Sequence, residues 1–139
     1  MIELFSVRSR LETGSGNFRS ISLIWRDIRT NNSISIDYLK IDTEGYDFKV
    51  LLGAKSLFEE NRVRFVQFEY NSNWNDVGHS LKQADTYMNG LGYQLFLIRS
   101  TGLHPINYEY WGDYYRYSNY FARRPSDINA LREIIKSKI

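Results

Sequence analysis

Two short stretches hold carboxylates where chemistry is plausible on physical grounds: Asp42-Thr43-Glu44-Gly45 and Glu69-Tyr70-Asn71. Each follows an apolar, β-prone run. Residues 34–41 end in Tyr38-Leu39-Lys40-Ile41, and residues 62–70 contain Val63-Arg64-Phe65-Val66-Gln67-Phe68. Ligands of open α/β sheets bind beyond the carboxyl ends of the strands. If the two runs are parallel neighbours, roughly 5 Å apart, Asp42, Glu44 and Glu69 converge on one sheet edge. Three crowded carboxylates repel one another unless a cation, a proton or a positively charged ligand joins them. Asp42 and Glu44 have a simpler alternative, because acids favour the start of a helix and one is expected near Tyr46. Capping does not explain Glu69, which no helix follows directly.

Other residues are candidates for the acceptor side of such a site. Asn71, Trp74 and His79 lie in or beside the polar stretch 71–78, which reads as a loop able to close over the edge. His79 is either a general base or a histidine that merely begins a helix. Tyrosines 108, 110, 114, 115, 117 and 120 crowd one connection with Trp111 among them. Their faces suit sugar rings, with Tyr114 and Tyr115 the candidates chosen, unless the segment simply packs as a loop. His79 and His104 are too few and too far apart for a metal site, and the chain has no cysteine.

The elements that must position these groups follow from periodicity. Residues 2–7 read as a short strand, residues 9–20 as a loop, and residues 20–28 as a strand or short helix. Residues 47–60 read as one helix, with Phe48, Leu51, Leu52 and Phe58 on a stripe that Val50, Ala54 and Leu57 widen. Strand, helix, strand makes a βαβ unit with parallel strands. A helix over 80–89, a strand over 93–98 and a short strand over 118–122 complete the pattern. Pro125-Ser126-Asp127 caps a last helix whose Ile128, Leu131 and Ile135 face inward. The expected class is α/β, with a mostly parallel sheet, an antiparallel last strand and flanking helices.

Composition sets the outer limits. The 139 residues suit one domain, with 42 % hydrophobic and 24 % charged residues. A net charge of +2 does not advertise nucleic acid. Arg8, Arg10, Arg19, Arg26 and Arg29 alternate with polar residues and read as solvated surface. No apolar run is long enough to span a membrane and no signal peptide is evident, so a cytoplasmic address is expected. Aromatics reach 16 %, with 11 tyrosines.

Leu39-Lys40-Ile41-Asp42-Thr43-Glu44-Gly45-Tyr46-Asp47, followed by Val50-Leu51-Leu52-Gly53-Ala54, resembles the FkbM-type methyltransferases. Their pattern is a strand ending Lys-Ile-Asp-x-Glu-Gly, an acid two positions on, and a helix carrying Val-Leu-x-Gly-Ala. Gln67-Phe68-Glu69-Tyr70-Asn71 is similar to the family's next strand, and Asn119-Tyr120-Phe121-Ala122 to its last. The resemblance covers residues 34–125, with 1–33 as a loose lead-in and 126–139 as a terminal helix. It implies a Rossmann-like methyltransferase that uses S-adenosylmethionine, mostly on hydroxyls of sugars or secondary metabolites. By position, Asp42, Glu44 and Gly45 lie beside the methyl donor. Glu69 lines the acceptor side, and Asp42, Glu44 and Glu69 are the candidate catalytic acids.

The resemblance also implies a missing half. The family holds the donor's ribose and amino acid with a Gly-rich turn and an acid upstream of this block, and only 41 residues precede Asp42. Gly14-Ser15-Gly16-Asn17-Phe18-Arg19 lacks a third glycine and a following helix, so it reads as a flexible loop. In the sheet order 3-2-1-4-5-7-6 this chain supplies strands 4 to 7. The strand at 38–41 is then expected as a bare edge, covered by the N-terminal segment, a second copy or a missing amino-terminal half. The expectation is a carboxyl-terminal half with weak or absent activity alone. Two alternatives stay open: a non-catalytic interaction module pairing through that edge, and a sugar-binding or glycosyltransferase-like domain built on the tyrosine-rich connection. Asp42-x-Glu44 superficially resembles a metal-binding Asp-x-Asp, but the helix that follows and the Val-Leu-x-Gly-Ala pattern argue against that.

Overall fold

The computed structural model describes residues 4–8, 34–129 and 131. The glycines at 14 and 16, the uncertain element at 20–28 and Ile135 lie outside the described residues. Six strands form one sheet: β1 (Leu4–Arg8), β2 (Ile36–Asp42), β3 (Val63–Tyr70), β4 (Gln94–Arg99), β5 (Gly102–Pro105) and β6 (Ser118–Arg123), in the order β1-β2-β3-β6-β4-β5. The helices are α1 (Asp47–Gly53), α2 (Lys55–Glu59), α3 (Asn73–Asp76), α4 (Leu81–Gly90) and α5 (Tyr108–Trp111), with a 3-10 turn at Pro125–Asp127.

The sheet is mixed, which corrects the expectation of a mostly parallel one. The pairings β1–β2 and β2–β3 are parallel, whereas β3–β6, β6–β4 and β4–β5 are antiparallel. The antiparallel last strand was expected; β5 was not, and its hairpin with β4 adds a third antiparallel pairing. β3 and β4 run the same way, but β6 enters between them in the opposite direction and turns one parallel contact into two antiparallel ones. The β2-β3-β6-β4 segment reproduces the expected order of strands 4, 5, 7 and 6. The edge of β2, expected bare, is paired: Leu4 to Arg8 run in register with Tyr38 to Asp42.

The helices follow the apolar pattern with two revisions. The predicted four-turn helix is two pieces that meet at Ala54, whose N–H donates to the carbonyls of Val50 and Leu51. Gly53 precedes the break, where a helix interior is weakest. Leu52, placed on the inner stripe, is exposed, whereas Phe48, Leu51, Leu57 and Phe58 are buried. α4 begins in a capping box: the Ser80 hydroxyl accepts from the Gln83 N–H, and the Gln83 side chain accepts from the Ser80 N–H. At the carboxyl end Ile128 is exposed rather than inward, while Leu131 packs against Phe65, Phe96 and Phe121.

The main core lies on one face of the sheet, where Leu39, Ile41, Val66, Phe68 and Leu95 meet Leu51, Leu57, Phe58, Ala84 and Met88. Alternate residues turn Phe65, Phe96 and Phe121 to the other face. Among the described residues no helix is long and apolar enough to cross a membrane. Ser80→Ala removes one half of the capping box and is expected to lower unfolding free energy by about 1 kcal/mol. Urea denaturation of the whole chain measures it, and an unchanged midpoint would show that the cap adds nothing.

Candidate functional site

The register of β2 on β3, which ends at Ile41 opposite Phe68, brings Asp42 and Glu69 level at the carboxyl edge. The loop after β2 is shaped by its backbone. Glu44 adopts φ 52° and Gly45 φ 103°, with the Tyr46 N–H closing the turn onto the Thr43 carbonyl at 3.3 Å. A left-handed φ is unfavourable for a residue with a Cβ, and glycine relieves it at the second position. Gly45 also has no room for one: a Cβ there would lie 2.6 Å from the Cβ of Asn73. α3 is therefore seated directly on the turn, and Asn73 Nδ2 donates to the Glu44 carbonyl at 3.3 Å.

Asp47 bolts the two loops together. Its side chain is fully buried, with Oδ1 accepting from the Glu69 N–H at 3.1 Å and Oδ2 from the Thr43 hydroxyl at 3.0 Å. Burial pushes its pKa up to about 6, against hydrogen bonds that hold it down. Trp74 completes the lock. Its Nε1 donates to the Glu69 carbonyl at 3.0 Å, and its ring stacks on Phe48 and Phe68 and meets Tyr70 edge-on.

The carboxylates themselves sit in different surroundings. Asp42 is partly exposed, with Lys40 Nζ 3.6 Å away. Glu69 is 8 % exposed, and its Oε1 accepts from Asn71 Nδ2 at 2.8 Å. Asn71 Oδ1 in turn accepts from the Asn73 N–H at 2.9 Å. Lys40 and Asn71 thus relieve part of the repulsion expected of three crowded acids. Among the described residues no group of three or more acids and histidines is placed to hold a metal ion.

Residues 19–95, more than half of the chain, match the Methyltransferase FkbM domain. The chain belongs to the FkbM methyltransferase family. No curated protein and no solved structure matches it. The matched FkbM region holds Asp42, Glu44, Gly45, Asp47, Glu69, Asn71, Trp74 and His79.

Two expected acceptor contacts within the FkbM region are instead packed away. The stretch 71–78 is no open lid, because α3 forms there and the Trp74 ring fills the core with no exposed surface. His79 lies edge-on against Phe48 at 5.1 Å, and among the described residues neither ring nitrogen has a hydrogen-bond partner. Burial, then the nearby Lys49 charge, lower its pKa, with the Gln83 side chain opposing them. Tyr114 does reach a cavity, bonded through its hydroxyl to Ser118 Oγ at 2.9 Å and to the Tyr120 hydroxyl. Tyr115 stacks on Tyr70 at 5.6 Å and donates its N–H to the Tyr70 hydroxyl at 3.0 Å, which makes it a support for the loop.

The sequence reading overlooked Asp47 as a site residue. Its signal was the acid two positions after the glycine, at the first residue of an apolar helix. Asp113 was overlooked too: it accepts from the Tyr70 hydroxyl at 2.9 Å and from Tyr108 and the Leu81 N–H, tying the tyrosine-rich segment to β3 and α4.

Two outcomes follow for the loops. Gly45→Ala combines a left-handed backbone with a collision against Asn73 and is expected to cost about 3 kcal/mol. A variant that melts with wild type would show that the turn relaxes freely. Asp47 retains its proton longer when folded than when unfolded, so folding grows less favourable as pH rises from 3.8 to about 6. Asn does not titrate. Wild type should therefore lose on the order of 2–3 kcal/mol relative to Asp47→Asn between pH 4 and pH 7. Urea denaturation across that range checks it, and a gap independent of pH would contradict it.

Proposed function

We propose that the chain is an S-adenosylmethionine-dependent methyltransferase unit that modifies a hydroxyl of a sugar or secondary metabolite. One observation carries the reading: the Asp42–Gly45 turn and the Glu69–Asn71 strand end are locked side by side at one sheet edge, inside the FkbM-matching residues. The donor set there fits such a cofactor. Asp42 and Glu44 offer partly exposed carboxylates to a cation and to hydroxyl or amino donors, and no metal is required for either.

Bound there, the cofactor supplies an electrophilic methyl group on a positively charged sulfur. Asp42 and Glu44 hold positive charge at the edge, while Gly45 keeps the turn tight against α3. Glu69 accepts the proton that an acceptor hydroxyl loses. Among the described residues Oε1 of Glu69 is engaged by Asn71, which fixes the carboxylate and leaves Oε2 for the acceptor. In this reading the contacts to the donor's ribose and amino acid come from upstream of Asp42, as in the family.

Calorimetric titration of S-adenosylmethionine into the chain tests the reading. Binding at millimolar affinity or tighter, weakened at least tenfold in Asp42→Ala, is expected, which is about 1.4 kcal/mol or more. No heat from a folded sample would sink it.

A further inference from the structure

Beyond the carboxylate edge lies a cavity of about 930 Å³, bordered by β4, β5, α5 and the start of β6. Its size is that of a small-molecule site. Most of it falls beyond the family match, in the segment where this chain concentrates its tyrosines. Tyr108, Trp111, Tyr114, Tyr117 and Tyr120 face it. Trp111 is 58 % exposed and Tyr117 70 %, an unusual amount of bare aromatic surface for one rim.

The charge of the wall is one-sided. Arg99 and Arg116 line the cavity, and among the described residues no aspartate or glutamate does. Among the described residues neither arginine has a carboxylate partner, while the Arg99 guanidinium sits 6.0 Å from the Trp111 ring centre. Asp113 lies close by, but its oxygens are taken by Tyr70, Tyr108 and the Leu81 N–H. Ser118, Asn119 and Tyr120 reach the cavity from β6, the strand that pairs with the end of β3, and Glu69 is the register partner of Asn119.

We propose that this cavity is the acceptor site and that its ligand is a sugar bearing an anionic group, a carboxylate or a phosphate. Aromatic faces take the apolar face of the ring, and the two guanidiniums take the anion, in a geometry that suits carboxylate and phosphate alike. The word acceptor rests on the methyl-transfer reading above; the binding of an acidic sugar does not.

The test titrates the whole chain calorimetrically with tetragalacturonate, glucose 1-phosphate, neutral maltotetraose and a short oligothymidylate. At least one acidic sugar should bind with a dissociation constant of about 1 mM or tighter, and maltotetraose at least about tenfold more weakly. Comparing the first two ligands identifies the preferred anion. The double substitution Arg99→Gln with Arg116→Gln should weaken acidic-sugar binding at least about tenfold with an unchanged melting temperature, since both side chains are exposed. Trp111→Ala should weaken acidic and neutral sugars alike. Equal binding of maltotetraose, indifference to the arginine substitutions, preference for the oligonucleotide, or no acidic-sugar binding would each overturn the proposal. A parallel titration with S-adenosylmethionine separates the two readings. Acidic-sugar binding without it leaves the cavity's ligand standing and removes the transfer role, whereas its binding without acidic sugars removes this proposal alone.

Discussion

A carboxylate with no exposed surface is costly unless hydrogen bonds replace its water, and Asp47 is the group on which the edge of this sheet depends. One oxygen takes the Glu69 N–H and the other the Thr43 hydroxyl, so the end of β3 and the turn after β2 are fixed to the same side chain. The sheet ladder ends at these residues. Past its last rung, the spacing between the two loops is set by Asp47, by the Asn73 bond to Glu44 and by the Trp74 bond to Glu69. The acids at the edge are thereby held in place before any ligand arrives, which is what a site requires of its supporting side chains.

The aromatic content has a structural purpose in the same place. From Phe48 through Trp74 to Phe68 and Tyr70, and on to Tyr114, Tyr115 and Tyr120, rings touch in sequence. This wall runs from the turn carrying Asp42 and Glu44 to the cavity lined by Arg99 and Arg116. Large rings of this kind bury much area and prefer defined offsets or edge contacts, so displacing one disturbs its neighbours on both sides. The proposed donor side and acceptor side share one rigid backing.

What could be read in the sequence is uneven in an instructive way. The βαβ unit, the helix that begins at Ser80 and the strand around Phe121 were legible because local periodicity determines them. The predominance of antiparallel pairs was not, because it depends on the hairpin of β4 with β5. β5 escaped notice for a local reason: Gly-Leu-His-Pro has little strand propensity, and only an edge position tolerates its proline. Asp42, Glu44 and Glu69 could be placed on one edge from two strand endings. Trp74 was misread because a tryptophan amid asparagines looks solvated until the short helix that turns it inward is known.

The insertion of β6 between β3 and β4 also bears on how the chain is made. On a ribosome, β1, β2 and β3 emerge first and can assemble, but β4 and β5 then have no strand to join. The hairpin must wait for residues 118–123, which pair with both sides at once. Until then the unpaired edge of β3, with Val66 and Phe68 on its core face, stands open to other nascent chains. The nonlocal closure is the slow step that contact order predicts. Its delay makes the interval between synthesis of Tyr70 and of Arg123 the period of greatest exposure to chaperones and to misassembly.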